Sequence, residues 1–199
     1  MNKLLPVAIA AALSLGACTR HAPDADDTPA PATAAQPAPA PAPAPATTDG
    51  MPAAASSHAD GYALGLLATL DQNEIAAARQ AQGKKVGGAV LDFAKMMERD
   101  HGMNLDKTRA LGPSMGDPDM DAMKAKGERE LQALDAESGA AYEKAYITAM
   151  VNGHQEALDA IDGKMMPAAT RDDVKQHLAD TRKAVETHLA KAKEIAAGM

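Results

Sequence analysis

"FAKMMERDHGMNL", residues 93–105, reads as one amphipathic helical stretch, and it sets how the rest of the chain is read. Phe93, Ala94, Met97 and Leu105 recur at roughly helical spacing and share a face. His101 falls on the same face, four residues after Met97 and four before Leu105. An imidazole inside an apolar stripe is costly unless something takes up its ring nitrogens. A helix written this way needs neighbours that cover its stripe and satisfy its histidine.

The same periodicity extends outward from this stretch. Helix one is expected over about 59–82, with "DQNE" (Asp71–Glu74) as an internal capping signature that kinks it. Helix two is expected over about 87–111, stopped by Gly112-Pro113. "PSMGDPDMDAM" reads as a connection, and helix three as about 127–162, ending at Gly163. Thr170, with Asp172 and Asp173 behind it, is expected to cap a fourth helix running to about 197. No alternating β-branched run occurs, so the fold class is all-α: two hairpins joined by one long link, a four-helix bundle. With one Phe, three Tyr and no Trp, the core falls to Ala, Leu and the twelve Met.

Each expected helix carries one inward ligand-type side chain: Glu74, His101, His154 and His188. Two readings fit them. In the first they form a polar network that satisfies itself, with Tyr142 and Tyr146 as further partners. In the second they hold a metal ion in the core. Glu98 stands three residues before His101, the Glu-x-x-His spacing of carboxylate-bridged iron or manganese bundles. Met97/His101 and Met150/His154 are each spaced Met-x-x-x-His, a thioether–imidazole set that suits copper. Folding the hairpins about Lys84 and Met166 leaves the polar residues of each hairpin at unequal levels, which favours the network. His21, His58 and His177 read as solvated. No nucleophile motif and no phosphate loop is present.

The chain opens with "MNKLLPVAIAAALSLGAC", which has the charge, apolar run and small residues of a secretory signal over residues 1–17. "LGAC" (Leu15–Cys18) resembles a bacterial lipobox, which makes Cys18, the sole cysteine, a lipidated first residue. Residues 18–57 contain nine prolines from Pro23 to Pro52 and read as a disordered Ala/Pro-rich spacer, leaving 58–199 as the folded domain. The expected place is the cell envelope, facing the periplasm from a membrane; Thr19 in place of Asp resembles outer-membrane sorting. The chain's net charge is −7, and loss of Lys3 with the signal makes it one unit more negative, which disfavours nucleic-acid partners.

"LGLLATLDQNEIAAARQAQGKKVGGAVLDFAKMMERDHGMNLDK", "YITAMVNGHQEALDAID" and "VETHLAKAKEI" together resemble the exported ferritin-like proteins catalogued as domain of unknown function 4142. The resemblance spans about residues 58–197. Its recurring features fall on Glu74, Asp100-His101, Met150 to His154 and His188-Leu189, with Gly153 where an acidic residue is common. It implies a ferritin-like bundle and a metal precedent, and no particular activity. The function expected from all of this is a non-enzymatic binding or envelope-associated module. The alternative is a metal-binding protein or oxidoreductase using iron, manganese or copper.

Overall fold

The computed structural model describes residues 53–199, with side chains from residue 57 onward. The expected signal peptide, Cys18, His21 and the spacer through residue 52 lie outside the described residues. Within them every regular element is helical: α1 (Ala53–Gly83), α2 (Gly88–Leu111), α3 (Pro118–Asp135), α4 (Gly139–Ala160) and α5 (Asp172–Ala197). α4 continues through a π-helical turn, Ile161–Met165, and a short α-helical turn, Met166–Ala168. No helix among the described residues is long and apolar enough to cross a membrane.

Four expectations are corrected. The helix expected over 127–162 is two helices. Ser138 is extended and Gly139 has φ of 56°, a left-handed conformation that glycine adopts without a Cβ clash. The Ser-Gly pair therefore turns the chain. Much of the expected connection is α3: the Asp117 carboxylate accepts from the Asp119 amide at 2.9 Å, Pro118 occupies the first turn, and Asp119 and Asp121 complement the helix dipole. α1 does not break at Asp71–Glu74, because both side chains are buried in the interior and neither caps the backbone. Thr170 does not cap α5 either. Its amide and hydroxyl donate to the two oxygens of Asp60, at 2.6 and 2.8 Å, which ties the α4–α5 loop back to α1.

α1 is the central helix, buried along most of residues 60–71. Close approach requires small residues there. A Cβ on Gly65 would lie 2.1 Å from the Ser114 carbonyl oxygen and 2.2 Å from the Met120 terminal methyl. Fully buried side chains such as Leu64, Leu67, Ile161 and Leu178 each contribute about 1.5–3 kcal/mol on removal from water.

The apolar interior comes in two main clusters. One contains Leu64, Leu67, Leu158, Ile161, Val174 and Leu178. The other contains Ala78, Phe93, Met97, Tyr142, Tyr146 and Ile195. Along α1 the first ends at Leu70 and the second begins at Ala77; along α4 the second ends at Met150 and the first begins at Ala157. Asp71, Glu74 and His154 lie in those gaps, and His188 sits beside Leu189 where α5 changes cluster. A buried polar layer thus divides the core.

Candidate metal centre

The layer forms because the hairpins turn later than Lys84 and Met166. His101 of α2 meets Asp71 of α1 at 2.8 Å, a pair centred on residue 86. The rings of His154 and His188 lie 5.6 Å apart, a pair centred on residue 171, because the π-turn carries α4 on to Ala168. The mismatch of levels expected from sequence is therefore removed. His101 completes the triangle, with ring centroids 5.8 Å from His154 and 5.3 Å from His188.

Each imidazole is held from behind. His154 Nδ1 lies 2.8 Å from the Met150 carbonyl, so this nitrogen carries the hydrogen and donates it. His188 Nε2 faces Asp100 at 3.2 Å, and Asp100 is itself held by Arg99 at 2.8 Å. His101 Nδ1 faces Asp71, whose two oxygens also accept from the Asn104 amide at 3.2 and 2.9 Å. The Thr181 hydroxyl donates to the Asn104 side-chain oxygen at 2.9 Å and completes that support. The second nitrogen of every ring, His101 Nε2, His154 Nε2 and His188 Nδ1, is buried with no hydrogen-bond partner among the described residues. One ligand atom from each of the three residues lies within 4.8 Å of the others.

Two further buried atoms lack partners among the described residues, Glu74 Oε2 and the Tyr146 hydroxyl. Burial pushes the Glu74 carboxyl up, against the opposing charges of His101, His188 and Lys126. Burial, then the charge of His101, pulls His154 down to about 3 and, aided by His154, His188 to about 4. Both rings stay neutral with a lone pair free. Burial also pulls on His101, but the Asp71 bond and the charges of Glu74, Asp71 and Asp100 outweigh it and raise this ring. Burial raises Asp71, against the His101 and Asn104 bonds.

The sequence-derived candidates do not all meet. His101, His154 and His188 come together, with Glu74 beside them. Glu98 lies at the surface, where Arg79 and Gln82 each donate to it at 2.7 Å. Met97 and Met150 belong to the second apolar cluster, and Met150 supports the site through its carbonyl. His177, expected to be solvated, is buried and bonds the Thr108 hydroxyl at 2.8 Å. His58 is exposed as expected. Asp71 and Asn104 were missed, although Leu67, Asp71, Glu74 and Ala78 repeat at three- and four-residue intervals that put both acids on one face.

Two clefts reach this layer. One, of about 460 Å³ between α2 and α5, is lined by Asp100, His101, His177 and His188. The other, of about 330 Å³ among α1, α3 and α4, is lined by Glu74, Gly153, Lys126 and Ala157.

No curated protein and no solved structure matches the chain. A family model does match, over residues 44–195, and covers all but the last turn of the helical domain. The chain belongs to the family described as domain of unknown function (DUF4142).

Proposed function

We propose that this domain is a metal-holding module of the cell envelope, in which His101 Nε2, His154 Nε2 and His188 Nδ1 bind one divalent transition-metal ion. One observation carries the reading: three buried imidazole nitrogens from three helices converge without partners among the described residues, while the opposite nitrogen of each ring is hydrogen-bonded. Outer bonds of this kind fix the tautomer and aim the ring in metal sites, and they raise ligand basicity. Three neutral imidazoles suit zinc(II) or copper(II). A carboxylate-bridged iron pair does not fit, because Asp71 and Asp100 face imidazoles, Glu98 is at the surface, and among the described residues Glu74 alone remains beside the imidazoles. A self-satisfied network fits less well, since five buried polar atoms stay unpartnered among the described residues.

The setting of the module is part of the same proposal. α1, α2, α4 and α5 supply the layer in a ferritin-like four-helix arrangement, with α3 packed on α1. The sequence before them supports a signal peptide, a lipidated Cys18 and a spacer that presents the domain to the periplasm, from the outer membrane. Protein purified from its native envelope is expected to carry close to one zinc or copper per chain. Near-stoichiometric iron, or metal retained after His101, His154 and His188 are all replaced by Ala, would overturn the assignment. Cys18→Ser is expected to move the protein to the soluble periplasmic fraction; a variant still bound to membranes would refute the anchor.

A further inference from the structure

Resting on the three-histidine reading, we propose that the ion keeps an open fourth position on the α1 side. It takes a small oxygen- or nitrogen-donor ligand through the α1–α3–α4 cleft, with Glu74 as that ligand's neighbour rather than a metal ligand. Glu74 is not among the residues whose donor atoms all lie within 4.8 Å of one another. It is nevertheless buried, and its Oε2 has no partner among the described residues. An ion held by three imidazoles has a coordination position left over, and three protein ligands plus an exchangeable one is the arrangement of zinc sites that react.

The cleft leads to this carboxylate. Its lining includes Leu66, Asn73, Glu74, Lys126 and Gly153. Gly153 directly precedes the ligand His154, and a Cβ there would touch Glu74 Oε1 at 3.5 Å. The missing side chain leaves room beside the carboxylate. Lys126 at the rim is paired with Glu130 at 2.5 Å and Glu156 at 2.7 Å, so no uncompensated cation there collects large anions. Water, hydroxide or a small anion of a few atoms fits the opening. Glu74 can accept a hydrogen bond from water and repels an anion in its place.

Azide binding to the cobalt(II)-loaded full-length chain, in detergent, tests this through the visible spectrum of the ion. The expected result is one cobalt per chain with a spectrum that azide changes saturably. Glu74→Gln should keep the cobalt and tighten azide about tenfold, since it removes one nearby negative charge. Gly153→Val should keep the cobalt and weaken azide severalfold by narrowing the approach. A wild-type spectrum indifferent to azide, or loss of cobalt in Glu74→Gln, would overturn the open position by making Glu74 the fourth ligand. Azide binding unchanged in Gly153→Val would overturn the route. Failure of cobalt to bind wild type, read before azide is added, would instead remove the three-histidine reading and this inference with it.

Discussion

Asp71 and His101 stand thirty residues apart in the chain and 2.8 Å apart in the fold, and both are almost wholly buried. The carboxylate takes the Nδ1 hydrogen and so turns Nε2 toward His154 and His188. Asp71→Asn keeps the shape and removes the charge that holds this tautomer. Metal affinity is expected to fall about 10- to 100-fold, the usual effect of losing such a partner, with helicity unchanged. Competition against a chromophoric chelator measures it; an unchanged affinity would show that Asp71 plays no part in orienting the ligand.

Replacing His101 with Ala leaves a cavity and strips Asp71 of its partner. Apo protein should lose about 1–3 kcal/mol. Because an ion that binds only the folded state stabilises it by mass action, a chelator should lower the wild-type melting midpoint and leave that of His101→Ala unmoved. Equal chelator shifts in both proteins would place the ion elsewhere.

How much was legible in the sequence follows from how far each signal travels. Inward placement of Glu74, His101, His154 and His188 is a local property of a 3.6-residue period, and it was readable. Asp71 was not, because "DQNE" also spells a capping box and only the neighbouring α2 decides between the two. Glu98 misled for the reverse reason. Three residues before His101 it sits at the edge of the stripe, and Arg79 and Gln82 on α1 draw it to the surface. The level of the second hairpin depended on where α4 ends, and no residue pattern announced that the helix would continue through a π-turn to Ala168.

Acid should unfold the apo domain partly through His154. Burial, then the charge of His101, lowers this ring to about 3 from an ordinary 6.5, so between those values the unfolded chain binds the extra proton. The stability this gives is fully present above the ordinary value and is lost as pH falls toward the lowered one, by up to about 1.4 kcal/mol per pH unit. Urea unfolding of chelator-treated protein from pH 7 to 4 should therefore show a steeper loss in wild type than in His154→Leu. Parallel pH profiles would mean that His154 is not buried neutral.

Tyr146 presents a different balance, since its buried hydroxyl has no partner among the described residues. Its ring packs edge-on to Phe93 and stacks with Tyr142, at centroid distances of 6.4 and 6.2 Å. Tyr146→Phe keeps those contacts and removes the unsatisfied oxygen. Apo stability is expected to rise by up to about 1 kcal/mol. A fall of that size in the urea midpoint would reveal a hydrogen bond to the hydroxyl.

The polar layer between the two apolar clusters also acts as a ruler. The buried apolar faces of α1, α2, α4 and α5 are built largely from Ala, Leu, Val and Met, whose ridges would still interlock if one helix slid by a turn. Such a slide moves side chains about 5.4 Å. That is far beyond the 2.8 Å at which Asp71 of α1 holds His101 of α2, or the 3.2 Å at which Asp100 of α2 faces His188 of α5. Alternative alignments that apolar packing alone would tolerate are thereby excluded, as a single buried polar residue does in a coiled coil. With Asp71, Glu74, His101, His154 and His188 all changed to Leu, the domain should stay helical yet lose its dispersed amide spectrum, as the helices sample several alignments. A spectrum as sharp as wild type would show that the apolar ridges set the alignment by themselves.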